Sequence, residues 1–269
     1  MRQSISELSD LAESIGINNL SKGKVAVINI AKKKNIEIIY GKYGHYFEGL
    51  LCFEDGKFYM HINLEKVTDI KSGRIRFTIS HELGHFFIDH HRQKLKQGIS
   101  LSFHGELTPE QKHIEKEANQ FASSLLMPKS LFCNYAKKTE PGLESILSLK
   151  KRFDVSIGAT AIQYLKFNLS CSIMINWHPD FSFHYASYSE QFSSLTGISG
   201  KTPIGFPTDY VKEITKIVDV NSKDYFETAT PLSRWISTIS PGSSKDLIGL
   251  EQTIKLGDFG GIALLTFYR

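Results

Sequence analysis

The sequence predicts an α+β protein of two domains. Short runs of aromatic and β-branched residues lie at 36–64, and apolar residues at helical spacing follow at 72–167. Beyond residue 168 the sequence returns to β-like runs separated by turn-forming residues. Because a chain of 269 residues exceeds the usual size of one compact domain, we expect a first domain over 1–168 and a second α+β domain over 169–269.

Composition and charge favour a globular protein of the cytoplasm. Apolar residues make up 41% of the chain and the formal net charge is +4, so the chain can form a core and its weak basic bias does not demand a nucleic-acid partner. No apolar run reaches the roughly 20 residues that cross a bilayer, and residues 1–15 lack the apolar stretch of a secretory signal. The three cysteines form no Cys-x-x-Cys pair, which predicts free thiols in a reducing compartment.

The N-terminal part of the chain predicts a helix followed by a small sheet. Apolar residues at helical spacing indicate a helix over 5–17. Three strand-like runs within 36–64 predict a small antiparallel sheet. Asp55-Gly56 separates the last two runs and supplies the positive φ values of a tight hairpin turn.

Two helices follow this sheet. The first begins near Ser72, and its apolar residues form one stripe. The second has the clearest start in the chain, because Thr108 supplies an N-cap hydroxyl, Pro109 suits the first helical position, and Gln111 completes a capping box. Pro128 ends this second helix.

The remaining elements complete the two predicted domains. A helical segment over 143–168 contains two helices and closes the first domain. In the second domain we expect a helix near 209–218 and a final strand pair at 252–255 and 262–268.

The chemistry of the chain is concentrated in the motif His81-Glu82-Leu83-Gly84-His85. On a helix, residues four apart differ by about 40° of rotation, so the imidazoles of His81 and His85 can reach one metal ion from the same face. Zinc is the ion that suits this arrangement. Glu82 lies about 100° round the helix, where it can accept a proton from the catalytic water without binding the metal itself.

A catalytic zinc site needs a third protein ligand, and His91 is one candidate. The extended motif that would use it requires a glycine at the eighth position, where this chain has Ile88. If the helix continues instead, His91 is rotated about 240° from His85. We therefore expect His90 and His91 to be solvated residues at the helix end.

The better candidate lies on the helix capped by Thr108. The centre of its apolar stripe falls near Ala118, with Glu115 about 60° away and Glu117 about 100° away on the other side. A carboxylate at the margin of a buried stripe is costly unless it is paired or bound to metal. Ala118 and Ala122 would also leave room for another helix to approach. Glu115 is the preferred third ligand, and Glu117 is the alternative.

Two blocks of the sequence carry a resemblance to a known family, FTISHELGHFF at 77–87 and IEKEANQFASSLLMP at 114–128. Together they resemble the ImmA/IrrE family of zinc metallopeptidases, and the resemblance covers about residues 20–168. It implies a zincin-like N-terminal peptidase domain. In that family the two motif histidines and the glutamate that opens the Glu-x-x-Ala helix bind zinc, which implies that His81, His85 and Glu115 are ligands. It also implies that Glu82 is the catalytic base.

The resemblance also implies a biological role. Members of the family are regulatory proteases that cut or inactivate transcriptional repressors and antitoxin-like partners in bacteria, often in stress responses. A regulator of that class is therefore the expected substrate, and 169–269 would serve as a sensing or substrate-docking domain.

Two other classes of function stay open at this point. The chain could be a zinc-binding regulator that holds its partner without cleaving it. Alternatively, the two helices of 143–168 could form a DNA-binding helix-turn-helix, although the second helix offers only Gln163 and Lys166 as contacts with DNA.

Overall fold

A computed structural model describes residues 4–65, 72–103, 106–198, 204–220, 225–243 and 245–268. The chain divides into two compact units. The first consists of Met1–Phe132 with Lys150–Ser156, and the second of Cys133–Leu149 with Ile157–Arg269. The units do not coincide with the division expected after residue 168, which stays a prediction.

The first unit combines helices with two small sheets. Its elements are α1 (Ile5–Ile17), β1 (Leu20–Ser21), β2 (Lys24–Val25), α2 (Val27–Lys33), β3 (Ile36–Gly41), β4 (Gly49–Glu54), β5 (Lys57–Asn63), α3 (Gly73–Phe87), α4 (Asp89–Lys96) and α5 (Pro109–Leu126). Two further helices, α6 (Lys129–Ala136) and α7 (Leu143–Phe153), pass along the chain from one unit into the other.

The three-stranded sheet has the order β3-β5-β4. β4 and β5 form the expected antiparallel hairpin, with positive φ values of 47° at Asp55 and 79° at Gly56 in its turn. The expectation of a wholly antiparallel sheet is wrong, because β3 pairs with β5 in parallel. The segment 42–48 leads from β3 to the far edge of the sheet, so the returning β5 runs in the same direction as β3.

Helices α3 and α5 pack closely and begin where the sequence predicts, near Ser72 and at the Thr108 cap. The Ser72 hydroxyl accepts a hydrogen bond from the backbone of Ile75, and Thr108 forms a complete capping box with Gln111. Gly84 of α3 faces α5 so closely that a Cβ atom there would lie 3.2 Å from the Cα atom of Ala118. The close approach expected at Ala118 is confirmed, and it brings the polar side chains of both helices together.

The second unit is built around a five-stranded sheet. Its elements are α8 (Ile157–Lys166), β6 (Ser172–Trp177), β7 (Phe183–Tyr188), α9 (Glu190–Thr196), α10 (Thr208–Val220), β8 (Phe226–Pro231), β9 (Ile248–Lys255) and β10 (Gly261–Thr266), with short 3-10 turns at Leu232–Arg234 and Gly257–Phe259. The strand order is β7-β6-β10-β9-β8, and every neighbouring pair is antiparallel. The expected α+β class, with a second sheet-rich domain, is therefore confirmed.

The core of the second unit lies against this sheet. Every residue of β6 and β10 is buried, and Trp177, Phe192 and Trp235 are among the largest side chains of the core. The carboxylate of Glu251 is fully buried and accepts hydrogen bonds from Trp235 Nε1 at 3.1 Å and from the Tyr210 hydroxyl at 3.0 Å. Thr253 Oγ1 also donates to Glu251 Oε1 at 3.1 Å, so neutral donors satisfy this buried carboxyl group.

Helix α8 bears on the DNA-binding alternative. Gln163 is 3% exposed, so one of the two side chains expected to contact DNA is buried. The sequence had offered only two such contacts, so the burial of Gln163 counts against α8 as a recognition helix.

Within the parts of the chain that are described, no helix combines the length and the apolar character that a bilayer crossing requires.

Candidate metal centre

Helix α3 places the two motif histidines side by side. The Nε2 atoms of His81 and His85 lie 3.1 Å apart, as the four-residue spacing predicts. The side chain of His85 is 3% exposed and that of His81 is 15% exposed, so the pair lies at the floor of an open site.

Helix α5 adds a carboxylate to this pair. Glu115 Oε2 lies 3.3 Å from His81 Nε2, and Oε1 lies 3.9 Å from His85 Nε2. The three donor groups lie within 4.8 Å of one another. Donors around a tetrahedral zinc ion are about 3.3 Å apart, and two imidazoles with one carboxylate are a known ligand set of catalytic zinc. The residues present therefore fit a zinc ion.

The other ring nitrogens of both histidines have hydrogen-bond partners. His81 Nδ1 lies 3.0 Å from Oδ1 of Asn119, an acceptor one turn beyond Glu115 on α5. His85 Nδ1 lies 3.1 Å from Nδ1 of His91. When Nδ1 of a histidine donates a proton, the lone pair at Nε2 is free for a metal, so both rings can present Nε2 to the same point.

Burial and charge shift the pKa values of these histidines in opposite directions. Burial, with the nearby His81 and His91, holds the pKa of His85 well below its usual range. Burial is also the largest single influence on His81 and lowers its pKa, but Glu115, Glu82 and Asn119 together outweigh burial, so the net pKa is raised. The surroundings of His85 therefore favour its neutral ring, whereas His81 lies beside the carboxylate of Glu115.

Glu82 lies next to this donor set on α3 and is 5% exposed. Burial raises its pKa to about 7, with His81 opposing and Glu115 reinforcing the shift, while a backbone hydrogen bond from Leu51 lowers it. The backbone of β4 approaches so closely that a Cβ atom on Gly49 would lie 2.6 Å from Glu82 Oε1. A carboxyl group with a pKa near neutrality can both accept and return a proton.

A cleft of about 300 Å³ opens over these residues. Its walls come from the segment 42–48, from β4, from the residues before α5 and from α5 itself, and they include Phe47, Leu50, Leu101, Phe103, Leu107 and Asn119. The polar donors thus face a mainly apolar space that is large enough for a few side chains of another molecule.

Comparison with known proteins identifies the family of this segment. A family model described as Peptidase_M78, IrrE N-terminal-like domain, matches residues 31–163, which include α3 and α5. These residues are a domain of that family. The family resemblance stated from the two sequence blocks is therefore confirmed, and the cleft lies within the IrrE-like domain.

Solved structures provide a second comparison, while a search of the curated proteins finds no match. A Mycobacterium tuberculosis transcriptional regulator resembles this chain with a TM-score of 0.57 and 13% sequence identity. The match covers 96% of this chain and 86% of the other. At that identity the likeness concerns the fold.

The IrrE-like domain contains a second group of histidines around Glu117. His90 Nε2 and His91 Nε2 each lie 3.0 Å from Glu117 Oε2, and His113 Nε2 lies 3.2 Å from Oε1. Glu117 is 1% exposed. Glu117 is therefore a buried carboxyl group surrounded by three imidazoles, one of which, His91, also contacts His85.

Two sequence-based expectations about this second group are wrong. His91 was expected to be solvated but is fully buried, because α3 ends at Phe87 and Ile88 adopts an extended conformation (φ −75°, ψ 115°) that starts α4 in a new direction. Glu115 was expected to lie nearer the core than Glu117. The reverse holds, because α4 covers the Glu117 side of α5 while Glu115 faces the cleft.

Sequence reasoning also missed Asn119 and Gly49. Asn119 had a usable signal, because it follows Glu115 by four residues and must share its helix face. Gly49 had none, because its role depends on how closely β4 approaches Glu82.

Proposed function

We propose that this protein is a zinc metallopeptidase that hydrolyses a peptide bond in a partner protein. The observation that carries the proposal is the convergence of His81, His85 and Glu115 beside a buried Glu82, at the floor of a cleft. The match to a peptidase family over the same residues supports it.

Each residue of the site has a distinct task. His81, His85 and Glu115 would hold zinc, which supplies Lewis acidity towards the scissile carbonyl and the attacking water. Glu82 takes the proton of that water and returns it to the leaving amine, and its raised pKa suits both transfers. Asn119 keeps the ring of His81 oriented because its Oδ1 atom accepts a hydrogen bond from the Nδ1–H group of His81.

We further propose that the substrate is a transcriptional repressor or an antitoxin-like regulator in the cytoplasm. The IrrE-like domain supports a regulatory role. The cysteines at 52, 133 and 171 form no disulfide with one another, which suits a reducing compartment. The second unit would then sense a signal or dock the substrate, since the donor groups of the proposed centre all belong to the first unit.

Metal analysis combined with one substitution tests this proposal. Purified protein is expected to contain one zinc ion per chain, and His81→Asn is expected to lose it. Glu82→Gln keeps the metal ligands and the side-chain volume but removes the base, so cleavage of a co-expressed repressor should fall by about 10²- to 10⁴-fold. Zinc content should stay that of the unmodified protein.

Two results would count against the peptidase function. If Glu82→Gln binds zinc and regulates its partner as well as the unmodified protein does, the protein is a non-cleaving regulator. If the unmodified protein binds no zinc, the proposed centre itself is wrong.

A further inference from the structure

A chain of buried hydrogen-bonding groups leads from the proposed metal centre into the second histidine group. His85 Nδ1 lies 3.1 Å from His91 Nδ1, and His91 Nε2 lies 3.0 Å from Glu117 Oε2. The exposed fractions of these three residues are 2%, 0% and 1%. Because so little of these side chains is exposed, their buried nitrogen and oxygen atoms have to satisfy one another.

The positions of the protons along this chain follow from elementary chemistry. A neutral His85 that binds metal through Nε2 carries its proton on Nδ1. That proton can be accepted only by a lone pair on His91 Nδ1, so His91 must carry its own proton on Nε2. The Nε2 proton of His91 is then donated to Glu117, whose ionised carboxylate is an acceptor at both oxygens.

We propose that His91 and Glu117 are positioning residues that hold His85 in the tautomer and ring orientation that bind zinc. The inference rests on the proposed function, because it requires His85 to be a zinc ligand. Hydrogen-bonded partners of metal-binding histidines commonly have this effect. Here the carboxylate acts on the ligand through an intervening histidine.

The neighbours of Glu117 support an ionised carboxylate at this position. His90 Nε2 lies 3.0 Å from Oε2 and His113 Nε2 lies 3.2 Å from Oε1. With His91, three imidazole N–H groups can donate to one buried carboxylate, which is the condition under which a buried charge is tolerated.

A second metal ion at His90, His91 and Glu117 is the competing reading of the same geometry. If His91 bound that ion through Nε2, its proton would move to Nδ1. Two N–H groups would then face each other across the 3.1 Å between His85 and His91. Metal ions bound at both groups at once are therefore incompatible with the contact between His85 and His91. In the positioning role, the Nδ1 proton of His85 and the Nε2 proton of His91 each have an acceptor.

Zinc affinity of the full-length protein tests the inference. His91→Phe keeps a ring but removes the acceptor, and zinc binding measured by competition with a chelator should weaken by about 10- to 100-fold. His90→Phe is the matched control: it removes a donor from the same Glu117 oxygen and has no described hydrogen bond to His85. Its affinity should stay close to that of the unmodified protein.

A second measurement reads the proton positions without any substitution. In zinc-loaded protein labelled with ¹⁵N-histidine, NMR correlation spectra should show His85 protonated at Nδ1 and His91 protonated at Nε2. A role confined to core packing would not fix these tautomers. This measurement also decides the matter if His91→Phe fails to fold.

The outcomes separate the inference from the proposed function. If the unmodified protein binds one zinc ion and His91→Phe binds it equally well, or if His91 carries its proton on Nδ1, the positioning role is overturned while the peptidase proposal stands. Two zinc ions per chain with His91 as a ligand would also overturn it. If the unmodified protein binds no zinc, both proposals fall.

Discussion

Two groups with the same kinds of residue lie on either side of α5 and behave differently. One consists of His81, His85 and Glu115, and the other of His90, His91, Glu117 and the added His113. In the first group the Nε2 atoms and the carboxylate converge on a point at the cleft, and the side chain of Glu115 is 27% exposed. In the second group the carboxylate is itself the centre, and it is 1% exposed.

The difference shows that residue types and spacing do not decide the role of such a group. The two groups differ in accessibility and, in the proposed assignment, in whether each Nε2 atom presents a lone pair or an N–H group. A group whose lone pairs point at a shared open position can take a metal, whereas a group whose N–H donors point at a buried carboxylate is already satisfied.

The largest expected effect tests whether only the first group takes metal. Free zinc at about a thousand times its dissociation constant should raise the free energy of unfolding by about 4.1 kcal/mol. His81→Asn should abolish this gain because it removes a ligand, while His90→Asn should retain it. Urea unfolding with and without zinc measures both, and zinc stabilisation that survived His81→Asn would place the metal elsewhere.

A second effect concerns the two carboxylates in zinc-free protein. Glu117→Gln replaces an oxygen acceptor with an amide donor among three imidazoles, so the free energy of unfolding should fall by about 1–3 kcal/mol. Glu115→Gln, at a partly exposed position, should change it by no more than about 0.5 kcal/mol. Chemical unfolding in the presence of a chelator compares them. Equal costs would contradict the assignment of Glu117 as the buried structural charge.

The smallest effect concerns the helix that the two groups share. Thr108→Ala removes the N-cap of α5 and should lower the free energy of unfolding by about 1 kcal/mol, while Thr108→Ser keeps the hydroxyl and serves as control. Hydrogen exchange of the first turn of α5 should quicken in the alanine variant alone. No difference between the two variants would mean that packing, and not the cap, holds this helix end.

Much of the fold follows from local signals in the sequence. The caps at Ser72 and Thr108, the turn at Asp55-Gly56 and the final strand pair are fixed by neighbouring residues, and the structure has all of them. The pairing of β3 was mispredicted because strand direction depends on where the chain crosses the sheet, and no local pattern records that path.

The candidate site likewise combines features that local sequence predicts with features that depend on distant parts of the chain. The four-residue spacing of His81 and His85 made their proximity predictable, and the structure brings Glu115 to them as expected. The burial of His91 could not be foreseen, because it depends on a helix that breaks at Ile88 without a glycine. The burial of Glu117 was also mispredicted from its angular position on α5. That angle does not tell which neighbouring element covers the residue.

The spacing of Glu115 and Glu117 on one helix has a mechanical consequence. Two residues apart, the carboxylates project about 200° from each other round the axis of α5. A rotation of α5 about its axis would move these two side chains in opposite directions. Because Glu115 faces the cleft while Glu117 is buried among imidazoles, α5 links the geometry of the two groups.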